Sequence, residues 1–146
     1  MAASLAHILG HEGRRDIENL VLLYPGLDYT LSQPSVEALG TGYLLEKEQI
    51  LWYFAQYLQN DEDRRVVSPL FMPIPAAFPR TLIVSAGFCP LRDEAFSYYR
   101  LLHEGGVAVH HLHYPDMIHT FLGMESLVPR RCRMVYRALA EFLATA

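Results

Sequence analysis

The chain has 146 residues, 51% of them hydrophobic and 19% charged, which suits one folded domain and is too apolar for a disordered chain. A net charge of −4 gives no basic face of the kind a nucleic-acid partner requires. The two cysteines, Cys89 and Cys132, form no C-x-x-C motif, and the start M-A-A-S-L-A-H-I-L-G has neither a basic flank nor a long apolar run. A zinc or redox motif, a secretion signal and a membrane span are therefore not expected, and the simplest expectation is a cytoplasmic protein with two reduced thiols.

In chain order, residues 1–9 read as a short helix with Leu5, Ile8 and Leu9 on one side and Gly10 as its stop. Residues 19–24, N-L-V-L-L-Y, are a continuous apolar run ended by Pro25-Gly26, the pattern of a strand covered on both faces. Residues 27–45 read as loop with one helical turn after Pro34. Apolar residues at 50, 51, 54, 57 and 58 have helical spacing, which predicts an amphipathic helix over 46–58 with an aromatic face around Trp52, Phe54 and Tyr57. A charged turn over 60–65 leads into the proline-rich segment 66–80, expected to be extended and without helix.

The second half alternates clearly. Residues 81–86, T-L-I-V-S-A, predict a second buried strand, and Pro90 opens a helix that stops at Gly105-Gly106. A third strand is expected over 107–114 and a last helix over 129–144, with Cys132, Val135, Leu139, Phe142 and Leu143 inward. Strand, helix and strand within about 34 residues make a right-handed parallel βαβ unit, so the fold class is α/β. Three strands are few for such a sheet, and the pattern predicts a half-sheet whose preceding strand lies upstream of residue 1. The arginine pairs at 14–15, 64–65 and 130–131 read as solvated charges.

Sites in open α/β sheets form outside the carboxyl ends of the strands. Segments 24–29, 86–93 and 114–121 all arrive there. His119, in Y-P-D-M-I-H-T-F, is a candidate general base, with a surface histidine as the plainer alternative. Ser85, in V-S-A-G, lies inside a strand and reads as a core hydroxyl. His110, His111 and His113 share one strand, 111 and 113 on one face, but no carboxylate or thiol converges on them to make a metal site.

The turns C89-P-L-R-D-E94 and Y114-P-D-M-I-H-T-F121, together with L-L-Y-P-G-L-D-Y, G-Y-L-L and V-S-P-L, resemble hormone-sensitive-lipase-like carboxylesterases of the α/β-hydrolase fold. The resemblance covers residues 1–143. It implies one partial α/β-hydrolase domain over 1–146, with a lid-like helical insertion over 27–65 and a βαβα core over 81–146. It further implies hydrolysis of a small acyl ester by a serine–histidine–aspartate triad, without metal or cofactor. His119 takes the place of the family's base. Cys89 stands where the family has the triad aspartate, and M-A-A-S-L-A-H resembles the helix that follows the nucleophile turn.

The family's remaining parts have no match. No G-x-S-x-G and no H-G-G-G occurs in these residues. Loss of the serine alone costs on the order of 10⁶ in rate, and a neutral group at the acid position costs roughly 10⁴ in kcat. Asp93, the family's second acidic position, and Asp116 are the nearby carboxylates that could stand in for the missing acid. Thr120 replaces the family's glycine after the histidine. The expectation is a chain not competent as an esterase alone. The rival expectation is a non-catalytic module that forms a homodimer through the unpaired edge of strand 19–24.

Overall fold

The computed structural model describes residues 1–144. Three parallel strands, β1 (Asn19–Leu23), β2 (Arg80–Phe88) and β3 (Val109–Ile118), lie in the order β1-β2-β3. They are parallel because long connections separate them, and helix α5 (Arg92–Glu104) makes the β2-to-β3 crossover. Helix α1 (Ala2–His11) and α5 cover one face of the sheet, where Ala3, Ala6, Leu20, Leu22, Ile83, Ala95, Tyr98 and Leu102 form one buried cluster. On the other face Tyr24, Val84, Ala86, Tyr114 and Phe121 pack with Cys132 and Val135 of α6 (Pro129–Ala144) and with Ile50 and Phe54 of α3 (Lys47–Tyr57). Burial on both faces is why β2 reads as one apolar run. Among the described residues no helix is long and apolar enough to cross a membrane.

Several expected boundaries move. Helix α1 runs through Gly10 to His11, and the chain turns at Gly13, whose φ is +72°. Gly10 is instead a contact point, since a Cβ there would lie 2.5 Å from Pro75 Cγ. Leu5 and Ile8 are about half exposed, and α1 packs through the small residues Ala3 and Ala6. Trp52 and Tyr57 of α3 are also exposed, as is Leu143 of α6. The segment expected to lack helix holds a one-turn α4 (Arg64–Val67), capped by the Asp63 carboxylate on the Arg65 and Val66 N–H groups, and a 3₁₀ turn, Pro69–Phe71. A short α2 (Pro34–Leu39) follows the proline, as expected.

Strand β3 continues four residues past Tyr114, to Ile118. Pro115 fits because β3 is an edge strand at this point and the ladder is irregular there: pairs Ala86–Tyr114 and Phe88–Ile118 flank a bulge. Gly87 sits opposite the bulge, with Pro115 O only 2.0 Å from where its Cβ would be. This close approach sends Cys89 and His119 toward each other.

Candidate active site

Cys89 follows β2 and His119 follows β3, and the two side chains meet: Sγ lies 3.2 Å from Nδ1. The thiol is therefore on the orienting side of the imidazole, where a triad acid would sit. Nε2 is the ring nitrogen that the thiol leaves uncontacted. His119 also lines an apolar pocket of about 330 Å³ with Tyr24, Gly26, Tyr29, Ile50 and Phe54. The Tyr24 ring is 5.3 Å from the imidazole, and Tyr29 meets Phe54 edge-on at 4.9 Å.

Burial removes charge from this pair. It pushes the Cys89 thiol up to about 12, with the Leu91 N–H pulling weakly the other way. It lowers His119 to about 4. Both groups are neutral near pH 7, so the geometry is a hydrogen bond between neutral partners and not a thiolate–imidazolium pair. A carboxylate only accepts, and so forces the Nδ1–H tautomer. A thiol donates or accepts, which leaves the tautomer unfixed.

The His119 shift has a consequence for stability. Unfolded histidine takes up a proton near pH 6.5, while the folded side chain resists until about 4. Between these values the unfolded state binds more protons, so stability falls as pH falls. Urea midpoints followed by circular dichroism should decline from pH 6.5 to 4.5, and His119→Gln should make the decline shallower. Part of the slope should persist, because His111 is lowered to about 4 by the same cause. An unchanged slope in the variant would show that His119 is not buried as described.

Among the described residues, two of the five non-glycine positions with positive φ flank the pocket. Thr120 adopts φ 57° and ψ 24°, the left-handed region that suits glycine and burdens a β-branched residue. Tyr24, at the end of β1, has φ 48°. Both flank the pocket, so the loops carrying Tyr24 and His119 are held by their packing rather than by local preference.

The other predicted residues point elsewhere. Asp93 Oδ2 accepts from the Ser35 N–H at 2.9 Å, and its Oδ1 accepts from Arg92 Nε at 2.8 Å. Asp93 thus ties α5 to α2 and does not face His119. Asp116 is exposed and accepts from Arg131 Nε and Nη2 at 3.0 and 2.7 Å. Ser85 is buried, with Oγ 2.7 Å from His111 Nε2 and 2.9 Å from His113 Nδ1. Its one proton serves one ring, and the other ring must donate to it. Among the described residues no group of three or more His, Cys, Asp or Glu is placed to hold a metal ion.

Sequence reading missed one buried residue. Glu94, in the first turn of α5, is fully buried, and its Oε2 accepts from the Leu27 and Asp28 N–H groups behind the pocket wall. An acid at a helix start reads as a dipole charge, so the sequence carries no sign of this role.

Parallel strands, a histidine after the last strand and its partner after the one before it define a class, and the comparisons agree. A family model described as alpha/beta hydrolase fold matches residues 1–123, and the chain belongs to that family. The expected kinship with hormone-sensitive-lipase-like carboxylesterases is borne out. Among its relatives are ethyl acetate hydrolase of Pseudomonas putida, 34% identical over 84% of this chain and 40% of that protein, and the carboxylic ester hydrolase LipN of Mycobacterium tuberculosis, 38% identical over 73% of this chain and 29% of that protein. A hyperthermophilic esterase from the archaeon Pyrobaculum calidifontis superposes with a TM-score of 0.88 at 26% identity, covering 99% of this chain and 48% of that one. An ester hydrolase from the Lake Arreo metagenome, solved with a bipyridine phosphonate derivative, gives 0.87 at 26% identity over 98% and 46%. The chain thus spans less than half the length of these relatives.

Proposed function

We propose that this chain carries the histidine-bearing half of a carboxylic ester hydrolase site and that its 146 residues do not turn over esters by themselves. The observation that carries this reading is the Cys89 Sγ to His119 Nδ1 contact beside the apolar pocket. His119 stands in the place of a general base, the pocket suits the apolar part of a small acyl ester, and segment 27–65 supplies its cover as a lid. What is missing is chemical: no G-x-S-x-G nucleophile occurs in the sequence, and a neutral thiol replaces the carboxylate that would stabilise imidazolium. No metal or cofactor enters the proposed chemistry. Both thiols are free, which fits a reducing, cytoplasmic setting.

The test is 4-nitrophenyl butanoate turnover together with labelling by a fluorophosphonate. The expected result is neither turnover above background nor labelling. Turnover or labelling that disappears in His119→Ala overturns the proposal. A second reading, a non-catalytic module that dimerises through β1, draws on one observation. Among the described residues β1 pairs with β2 alone, and Leu23 at its end is exposed, as are Leu5 and Ile8 of the helix that packs on β1. A dimer in sedimentation velocity that Leu23→Lys dissociates, with no turnover, would favour it.

A further inference from the structure

Glu94 is fully buried and makes no ion pair among the described residues, an arrangement that carries a cost unless its acceptor is needed. Its Oε2 takes two neighbouring backbone donors, the N–H groups of Leu27 and Asp28, the second at 2.6 Å. Oε1 has no partner among the described residues. A single carboxyl oxygen therefore fixes two consecutive peptide groups.

Those peptides lie between the pocket-lining residues Gly26 and Tyr29. Asp28 cannot do the same work, because its carboxylate is taken up within its own loop by the N–H and hydroxyl groups of Thr30 and Ser32. Tyr29 is held from outside by Ser68 Oγ, which accepts its N–H at 2.8 Å, and more loosely by Arg64 Nη1, which donates to its carbonyl at 3.4 Å. The turn that contains Glu94 grips the rest of this segment as well. Ser35 Oγ donates to Pro90 O at 2.7 Å, and Ser97 Oγ donates to Gln33 Oε1 at 3.2 Å. At the start of the same turn Cys89 meets His119.

We propose that Glu94 is the positioning residue of this pocket: its carboxyl holds Leu27 and Asp28, and through them Gly26 and Tyr29, in the shape that admits the apolar part of an ester. The proposal rests on the reading of the pocket as an ester site. Glu94 touches no substrate and acts through the wall. One turn thereby sets both the histidine, through Cys89, and the pocket, through Glu94.

Burial raises Glu94 to about 8, against the pull of the two N–H donors, and the Asp28 charge pushes it the same way. Tyr29 in the wall and Cys89 in the turn are the other titratable groups that feel its charge, and Arg92 acts on Cys89. The acid is neutral at pH 7, and ionisation above about 8 leaves a buried charge whose Oε1 has no donor. A glutamine keeps the acceptor oxygen and cannot ionise.

The test follows binding of butyrophenone, an aryl ketone shaped like a phenyl ester, by NMR in wild type, Glu94→Gln and Glu94→Ala. Amide exchange at Leu27 and Asp28 and the Tyr29 ring signals are read in parallel. At pH 6.5 Glu94→Gln should match wild type in all three, and at pH 9 it should keep an affinity that wild type loses. Glu94→Ala should weaken binding about tenfold, the loss of one buried hydrogen-bonded acceptor, with faster exchange at both amides. Unchanged exchange and unchanged Tyr29 signals in Glu94→Ala overturn the proposal. If that variant does not fold, Glu94→Gln losing the Tyr29 signals or the affinity at pH 9 as wild type does overturns it equally. Should butyrophenone bind none of the proteins, the ester reading of the pocket falls, and exchange with the Tyr29 signals alone decides the role of Glu94.

Discussion

Gly87→Ala should destabilise the protein by about 3 kcal/mol or more, at the upper end of what overpacking costs, and should separate His119 from Cys89. The register shows why. From Ala86 to Phe88 strand β2 advances two residues while β3 advances four, from Tyr114 to Ile118, so β3 must bulge. Gly87 lets the bulge press against β2. An added Cβ would lie 2.0 Å from Pro115 O, 2.5 Å from its carbonyl carbon and 2.7 Å from its Cα. All three are backbone atoms, so no side-chain rotation relieves the clash, and the ladder itself has to shift. Cys89 and His119 stand two and four residues past the pinch on their respective chains. Gly123→Ala is the control, because nothing lies within 4 Å of a Cβ there. Urea unfolding of both variants and the His119 imidazole shifts decide the matter. A loss under 1 kcal/mol for Gly87→Ala would mean that the approach of the two strands is looser than the structure has it.

The same pinch marks the limit of what the sequence makes legible. β1 and β2 stand out because burial on both faces demands unbroken apolar runs, and α5 because Pro90 and the Gly105-Gly106 pair bracket it. Pro115, by contrast, reads as a strand stop. Besides the edge position and the bulge, it needs a glycine on the neighbouring strand, whose missing side chain would otherwise collide, a pairwise fact that neither residue announces alone. Helix α1 misleads for a related reason. Its large apolar residues Leu5 and Ile8 suggest the packed face, yet Ala3, Ala6 and Gly10 are buried because size, not hydrophobicity, limits how closely the helix lies on β1 and Pro75. At the site, His119 and Cys89 are legible from their turns. Their meeting at Nδ1 is legible only through the family resemblance, which puts Cys89 at the triad-acid position; the residues alone do not give it, since it depends on that bulge. Glu94 is the reverse case: its place in the turn is plain, while its work lies 66 and 67 residues away at Asp28 and Leu27.

Cys89→Asp should raise the His119 midpoint from about 4 to 6.5 or above and fix its tautomer. The position already presents two groups that a carboxylate could accept from. Nδ1 lies 3.2 Å from Sγ, and the Leu91 N–H points at the same atom. The introduced group would accept both hydrogens, and its charge would favour imidazolium, opposing the burial that now disfavours it. The sign for stability then changes. With the folded value brought up to the unfolded one, the acid-side loss between pH 6.5 and 4 attributable to His119 disappears. At higher pH the variant should be less stable than wild type by about 1–3 kcal/mol, because a buried charge faces a neutral ring with few other donors. Imidazole 15N shifts across pH 4–9 would report both the midpoint and the Nδ1–H tautomer. A midpoint that stays near 4 would show that position 89 does not govern the imidazole, and the reading of Cys89 as the occupant of an orienting site would fail. Ester turnover should stay absent whichever way the midpoint moves, because orienting His119 prepares a base for a nucleophile that these residues do not supply. The variant therefore separates two properties that a complete triad joins: holding the histidine correctly, and giving it a serine to activate.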